Sequence, residues 1–318
     1  MSDTHRETRS ATPPARTSTR TTEQTPEPSS GRTSAPDRRR GRRGADVVAW
    51  FSGVWLVLLV GLAALAPLLS LPEHVDLARA LSSPVLSGPD WGSGHVLGTN
   101  AYGLDLFSRA LYGARASLTI ALSAVTIGAV VGGAIGILAG YFGRTVDSVV
   151  GIATNALLAV PPLILLIALA TVLTPSPRNV TLALALMTVP TMIRLARANT
   201  MAFAQREFVL AAKAMGASGW RVMTRELLPN VLLPVVSMAM VLISVLIVAE
   251  ASLSFLGLGI QPPEPTWGNM IAEGEGRMLE DHPHVVLVPG AFLFLTVFSF
   301  NILGEKARKR WDTRSGKL

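Results

Sequence analysis

The chain has 318 residues, of which 49% are apolar and only 15% are charged, and its formal net charge at pH 7 is +7. Such a large apolar share with so few charges is unusual for a soluble protein and is typical of a membrane protein. The chain contains no cysteine, which excludes a disulfide framework and any metal site built on thiolates.

The N-terminal segment, residues 1–44, is rich in Thr, Ser, Pro and Arg and has almost no large apolar side chain. Such a composition cannot offset the entropy of ordering, so we expect a disordered basic tail. Residues 38–43 form an arginine-rich run directly before the first apolar stretch. Anchoring of a membrane helix and contact with anionic lipid are a sufficient explanation for this run, so no nucleic-acid partner is expected.

Uncharged stretches that reach the roughly 20 residues of a membrane-spanning helix recur along the chain. Five are long enough without further argument: residues 47–72, 116–143, 148–177, 227–249 and 285–304. A sixth, between Arg178 and Arg194, is shorter, but snorkelling of both arginines would extend it. We therefore expect an all-α integral membrane protein with six transmembrane helices, the first within residues 45–72 and five more within residues 114–304.

The basic residues predict the orientation of the chain. Residues 194–226 contain six basic and two acidic side chains, and the C-terminal tail, residues 305–318, contains six more basic ones. Residues 257–284 contain five acidic side chains and one basic. Because cytoplasmic connections carry the excess of Lys and Arg, we expect both termini and a loop at residues 205–229 inside the cell, with loops 73–113 and 257–284 outside.

Glycine and proline shape the second and third helices. Glycines at intervals of four lie on one face of helix two, where another helix backbone can approach closely; with one further glycine they are Gly128, Gly132, Gly133, Gly136 and Gly140. Packing within the bundle is the favoured interpretation, with a conformational hinge or a contact with a partner subunit as alternatives. In helix three, two adjacent prolines at positions 161 and 162 predict a kink.

The inner loop between helices four and five is predicted to contain two short helices. In the first, an apolar set at helical spacing consists of Phe208, Ala211, Ala212 and Met215, and Gly216 suits a left-handed helix stop. In the second, Ser218 is a candidate cap and Pro229 a candidate end, with an apolar stripe at Trp220, Met223 and Leu227. The pattern alone leaves two functions open, docking into a groove of another protein and lying on the membrane surface.

This inner loop resembles the EAA loop of ABC-importer permeases. The resemblance implies the type I permease fold. The matching positions are Glu207, Ala211, Ala212, Gly216, Leu228 and Pro229. In that family the loop is a coupling helix that docks into a cleft of the ATPase subunit. The resemblance implies that the residues in contact with the ATPase here are Glu207, Ala211, Ala212, Lys213, Gly216, Ala217 and Trp220.

Three further stretches resemble the C-type permease of dipeptide, oligopeptide and nickel importers. They are residues 97–118, 250–268 and 289–304, so the similarity covers roughly residues 46–312. Asn100 stands where this family usually has Asp, and Leu104 where it usually has a basic residue, which argues against charge pairing in that outer loop.

The resemblance implies a subunit of the bacterial inner membrane that forms half of a translocation pore for di- or oligopeptides. Implied partners are a second, homologous permease in a heterodimer, two ABC ATPase subunits and an extracytoplasmic peptide-binding protein. The sequence has no Gly-x-x-x-x-Gly-Lys-Ser/Thr motif, so ATP and Mg²⁺ are expected on the ATPase subunits, and this chain is expected to be neither an enzyme nor a holder of a cofactor. Nickel chelates and glycopeptides remain alternative cargoes.

Glu250 is the one acidic residue embedded in a long apolar helix, and it is expected near the outer mouth of the pore. It is a candidate for contact with a peptide amino terminus, and the alternatives are a position at the membrane interface or a bond to a neighbouring helix. Trp91 and Trp267 are expected to anchor at the interface. The outer-loop residues Asp281, His282 and His284 do not share a helical ligand face, so no metal site is expected.

Two other classes of protein are weighed against the importer. A membrane-embedded hydrolase would need a nucleophile with a base, or a metal pair, and no histidine lies inside a predicted span. A channel or ion-coupled carrier also suits six helices and an embedded acid. Such a carrier has no need of a docking helix pair and should transport without ATP.

Overall fold

The computed structural model describes residues 38–69, 71–92 and 94–315, and the side chains of residues 46–309 within those ranges. The regular secondary structure of the described residues is helical, as predicted, apart from one isolated β-bridge between Thr99 and Asp105. Its α-helices are α1 (Arg38–Leu65), α2 (Leu77–Ala80), α3 (Leu106–Phe142), α4 (Arg144–Ala159), α5 (Pro162–Val172), α6 (Pro177–Ala204), α7 (Glu207–Ala214), α8 (Gly219–Arg221), α9 (Leu228–Phe255), α10 (Trp267–Glu273), α11 (Arg277–Asp281) and α12 (His284–Ser315).

Five helical segments in the described ranges are long and apolar enough to cross a membrane. They are Asp46–Leu68, Leu106–Phe142, Pro177–Ala204, Gly219–Phe255 and His284–Lys309. The pair α4 and α5 meets the same criterion as one span, although it is bent by 85° at its break. With this pair counted as one span, the prediction of six transmembrane helices is confirmed, and the chain is a multi-pass membrane protein.

The third span is the broken one, and the span between Arg178 and Arg194 is intact. A residue that precedes proline is forced out of the α region, and two such residues follow each other here. Val160 and Pro161 are both extended, with ψ angles of 127° and 130°, and α5 starts afresh at Pro162. By contrast α6 runs for 28 residues, and its first turn is capped by the Ser176 hydroxyl, which accepts from the Asn179 N–H.

Three helix ends lie outside the bounds expected from the sequence. α1 begins at Arg38, so residues 38–44 are helical, while residues 1–37 of the expected tail lie outside the described residues. α3 begins at Leu106 because Asp105 caps it, accepting from the Ser108 N–H at 2.8 Å, so residues 106–113 belong to the helix and not to the outer loop. α12 continues to Ser315, through most of the expected C-terminal tail.

The glycine face of α3 packs directly against α6. A methyl group on Gly128, Gly132, Gly136 or Gly140 would lie 2.5 to 2.8 Å from atoms of α6. Gly133, one position off this face, has no atom within 4 Å of such a methyl group. The packing interpretation is therefore confirmed, and the suggested contact of this face with a partner subunit is wrong, because α6 of the same chain covers it.

The helices alternate in direction and place the short elements at two ends of the bundle. At one end, called the α7 end, α7 packs against the last residues of α3 and α6, among them Tyr141 of α3 and Phe203 of α6. At the opposite end, called the α10 end, α10 packs against α3, α9 and α12. The main apolar core lies between these ends and is built chiefly from α3, α6 and α9.

Candidate functional site

α7 ends as the sequence predicts, in a left-handed glycine turn. Gly216 has φ +83°, and its N–H donates to the Lys213 carbonyl oxygen at 3.0 Å. The N–H of Ala217 donates to the Ala212 carbonyl oxygen, also at 3.0 Å. This pair of bonds is a Schellman motif, which satisfies the last carbonyls of the helix. Glu207 lies in the first turn of α7, where a negative charge favours the helix dipole.

One side of α7 is fixed to the bundle. Val209 and Ala212 are buried and pack in a cluster with Val222 and Leu227, which lie on the turn before α9. Tyr141, at the end of α3, also contacts this cluster, and the Lys213 ammonium lies 5.5 Å from the centre of its ring. α7 is therefore attached to α3 and α9 at once.

The other side of α7 is exposed and apolar. Met215 and Trp220 are 83% and 70% exposed, and Leu210 is 54% exposed. The apolar set predicted at helical spacing is divided between the two sides, because Ala212 lies on the buried side while Phe208, Ala211 and Met215 lie on the other. α7 has only two turns and is apolar on nearly all sides, so its periodicity does not determine which side faces the protein. The result is an exposed apolar surface, here called the α7 surface, formed by Phe208, Leu210, Ala211, Met215 and Trp220.

The second short helix of the loop is not separate from the next span. Ser218 stands at the capping position of α8 but its side chain caps no N–H, and Pro229 does not end the helix. A π-helical turn, Val222–Leu227, joins α8 to α9, and its last bond runs from the Leu228 N–H to the Met223 carbonyl oxygen. Pro229, which has no N–H to donate, follows this widened turn directly. The predicted cap and stop were wrong, and the helix is continuous from Gly219 to Phe255.

Glu250 is fully buried between α9 and α3. One carboxylate oxygen accepts from the Ser117 hydroxyl on α3 at 2.6 Å, and the other accepts from the Ser254 hydroxyl, one turn along α9, at 2.7 Å. Ser117 and Ser254 are also buried, at 0% and 2% exposure. Of the alternatives considered from the sequence, the structure shows the bond to a neighbouring helix, and contact of Glu250 with cargo stays a prediction.

Arg109 is a buried hub at the α10 end that sequence reasoning missed. Its guanidinium donates to Glu273 at 2.5 Å and to the carbonyl oxygens of His74 and Pro263 at 3.0 and 3.2 Å. These acceptors lie 35 to 164 residues away in the chain, so no local pattern could reveal them. The available signal was an arginine inside the first turn of an apolar helix, which requires a buried partner.

Asn100 takes part in the same network. Its amide donates to the second carboxylate oxygen of Glu273 at 2.9 Å, while its own side-chain oxygen accepts from the N–H groups of Tyr102 and Leu104. An aspartate at this position would place a second negative charge beside Glu273, so the amide is the form that fits. The departure from the family pattern therefore keeps a polar link in this loop without charge pairing at position 100.

Trp267 connects α10 to α3. It is completely buried, and its indole N–H donates to the Ala110 carbonyl oxygen at 3.0 Å. The prediction of an interface anchor was wrong for Trp267, because α10 packs against α3, α9 and α12 and encloses this side chain. Trp91, in contrast, is 86% exposed.

Comparison with known proteins identifies the family. The family model described as "binding-protein-dependent transport system inner membrane component" matches residues 132–313. The chain is 36% identical over 253 residues to the dipeptide transport system permease protein DppC of Alkalihalophilus pseudofirmus, covering 80% of this chain and 81% of that one.

Two further relatives are similar over a comparable length. The glutathione transport system permease protein GsiD of Pectobacterium atrosepticum is 35% identical over 270 residues, 84% of this chain and 87% of the relative. The probable D,D-dipeptide transport system permease protein DdpC of Escherichia coli is 34% identical over 267 residues, 83% of this chain and 87% of the relative. The resemblance drawn from the motifs is confirmed: this chain belongs to the family of binding-protein-dependent transport system inner membrane components, with the type I permease fold and the C-type subunits of peptide importers among its relatives.

Proposed function

We propose that this chain is one of two homologous permeases that form the pore of a bacterial ATP-driven importer for short peptides. Two ABC ATPase subunits would dock at the α7 end, and an extracytoplasmic binding protein would deliver the peptide at the α10 end. Peptide cargo is favoured because the relatives carry dipeptides, D,D-dipeptides and glutathione by name, all of which are small peptides.

The distribution of charge supports an orientation with the α7 end in the cytoplasm. The connection that contains α7 and the end of α12 are rich in Lys and Arg, and the acidic residues of segment 257–284 lie at the α10 end. A contact of 2.7 Å between the Lys306 ammonium and Asp46 brings the end of α12 beside the start of α1. Both described termini of the bundle are thus at the same end, and the bacterial inner membrane is the membrane that fits an importer of this family.

The observation that carries the proposal is the α7 surface. Large apolar side chains such as Met215 and Trp220 are concentrated in the centres of protein interfaces and cost free energy when they remain in water. A helix that lies on a membrane surface would need a strongly charged outer face, and the ionisable side chains of α7 are Glu207 and Lys213 alone. Docking into a groove of the ATPase is the function that fits both facts.

The attachment of α7 explains how docking could drive transport. The chain has no phosphate-binding loop motif, so the energy must enter through a partner. Val209 and Ala212 pack against Val222 and Leu227, which belong to the same continuous helix as α9. When the ATPase subunits close, α7 would move as a rigid unit and carry the inner end of α9 with it, which can switch the accessible side of the pore.

Site-specific crosslinking tests the proposal. Because the native chain has no cysteine, Met215→Cys introduces a single thiol on the α7 surface. Purified in mild detergent from its native membrane, this variant should crosslink to a P-loop ATPase, identified by mass spectrometry together with a second permease. Leu279→Cys, 48% exposed at the α10 end, is the matched control and should give no ATPase adduct.

The same preparation can overturn the proposal. If the wild-type chain is recovered alone or as a homo-oligomer, and no ATPase is captured through Met215→Cys, the importer must be abandoned. Transport by that preparation without ATP would then support the channel or ion-coupled carrier.

A further inference from the structure

A cavity of about 420 Å³ opens at the α10 end of the bundle. Its wall is formed by α3, with Tyr112 and Arg115, and by residues of the two outer loops, namely His74, Ile260, Glu264 and Pro265. The volume lies within the roughly 300 to 1,000 Å³ of small-molecule sites in proteins. The cavity adjoins the Arg109 network, because the carbonyl oxygen of the wall residue His74 accepts from Arg109, whereas Glu250 is not part of the wall.

Two side chains of opposite charge, Arg115 and Glu264, line this cavity. Arg115 and Glu264 are both exposed, and within the described ranges neither side chain has an ion-pair partner. Arg109 and Glu273, at the same end of the bundle, do form an ion pair with each other. Charged groups that form no ion pair with the rest of the described chain, placed on the wall of one cavity, are candidates for binding a ligand.

The rest of the wall is nearly uncharged. His74 stacks on Tyr112, with 3.7 Å between ring centres and 11° between ring planes, and burial lowers the pKa of the His74 imidazole. The lowered pKa favours the neutral form of the ring. Val75, Ile260 and Pro265 supply apolar surface, which could accept different side chains.

We propose that this cavity binds a short zwitterionic peptide by its two ends, with Arg115 taking the carboxylate and Glu264 taking the ammonium group. The inference rests on the proposed importer function and deepens it by assigning a peptide site to the permease itself. A guanidinium can engage a carboxylate through two parallel hydrogen bonds, and a carboxylate is a strong acceptor for an ammonium group. Binding by the termini alone would select free peptides while tolerating different sequences.

The test pairs each residue with the peptide end that it is proposed to bind. The probe is radiolabelled Ala-Phe, and its equilibrium binding is measured on the chain with its co-purified partners in lipid nanodiscs, without the binding protein. Amidation of the carboxylate and Arg115→Gln should each weaken binding about tenfold, and together they should weaken it no further. Acetylation of the amine and Glu264→Gln should show the same non-additivity.

Controls use two other exposed charges at the same end of the bundle. Arg277 and Glu280 lie on α11, outside the cavity wall. Arg277→Gln and Glu280→Gln should each leave the affinity for Ala-Phe within about twofold, as expected for surface charges remote from the ligand.

Either of two results would overturn the peptide site. One is that the wild-type preparation binds no Ala-Phe at millimolar concentration, and the other is that the effects of residue and peptide modification simply add. Both results leave the importer intact if the ATPase still co-purifies. The proposed importer function itself would be refuted by a different result, the absence of both a co-purified ATPase and ATP-dependent uptake.

Discussion

Ser117 on α3 donates a hydrogen bond to Glu250 on α9, and the pair joins two spans near the α10 end. Glu250→Leu should leave the buried hydroxyls of Ser117 and Ser254 without their acceptor, at a cost of about 1–3 kcal/mol each. Glu250→Gln keeps an oxygen acceptor and adds an amide donor that a hydroxyl can accept. We expect a lower melting temperature for the leucine variant in detergent and a near-normal one for glutamine.

The same two variants separate structure from transport. If Glu250 only joins helices, Glu250→Gln should transport peptide at the wild-type rate in proteoliposomes that contain the whole importer. A glutamine variant with normal stability and lost transport would assign the carboxylate a direct role with cargo.

The close approach of α3 and α6 predicts a contrast between neighbouring glycines. A methyl group on Gly136 would lie 2.6 Å from the Ile193 carbonyl oxygen and 2.8 Å from the Ala196 side chain, so Gly136→Ala should destabilise the bundle by about 1–3 kcal/mol. Gly133→Ala meets no neighbour and gains helix propensity, so it should be neutral or stabilising. Thermal melts of the two purified variants provide the measurement, and equal melting temperatures would contradict the packing described.

The Arg109 hub predicts a large loss of stability when its charge is removed. Arg109→Met leaves one carboxylate oxygen of Glu273 and two backbone carbonyls without their Arg109 donor, and loss of one partner of a buried ion pair costs about 3–5 kcal/mol. Arg109→Lys should restore only part of this, because an ammonium group cannot reach acceptors in the fork directions of a guanidinium. The control is Arg277→Met, on exposed α11, which should melt like the wild type.

The α7 surface predicts loss of partner binding without loss of folding. Met215→Ser and Trp220→Ser remove exposed apolar contacts, so the amount of ATPase recovered should fall by about tenfold or more while the melting temperature is unchanged. Val209→Ser, on the buried side of α7, should instead lower the melting temperature. Full recovery of ATPase with Met215→Ser and Trp220→Ser combined would refute docking at this surface.

Substitutions at Gly216 should affect stability and ATPase binding through backbone conformation alone. Nothing lies within 4 Å of a methyl group at this position, so the effect of substitution comes from φ +83° and not from a clash. Gly216→Val should cost about 1–2 kcal/mol in this turn and reduce ATPase recovery, whereas Gly216→Asn, which tolerates left-handed backbone, should retain most of it. Equal recovery with Val and Asn would show that the turn is not required for docking.

The sequence predicts the number of spans and the turn after α7 because both depend on local composition. Proline shows where such local reasoning fails. Pro190, Pro234 and Pro289 lie inside helices, whereas the adjacent pair Pro161 and Pro162 separates α4 from α5. A single proline removes one N–H, which a bundle tolerates, whereas two in succession force two neighbouring residues into extended backbone.

The parts of the candidate site that could not be predicted depend on partners distant in the chain. Trp267 reaches Ala110 across 157 residues, and Arg109 reaches Glu273 across 164. The inner side of α7 is decided by Tyr141 and Leu227, which lie on other helices. A pattern of apolar residues predicts that a side chain will be buried. Which helix covers that side chain can be seen only in the packed bundle.

The continuous helix from Gly219 to Phe255 is roughly 55 Å long at about 1.5 Å per residue. One of its ends is packed against α7, and the other holds Glu250 and the backbone of Ala251, against which Gly268 of α10 sits. Ile260 and Glu264 of the cavity wall follow this helix closely in the chain, so ligands at the two ends can act on the same element, and thermodynamic linkage between two sites is reciprocal. Peptide at the α10 end should therefore change the affinity of the ATPase for α7 by the same factor as ATPase docking changes the affinity for peptide. Cargo and ATPase would then be two ligands of a single conformational equilibrium.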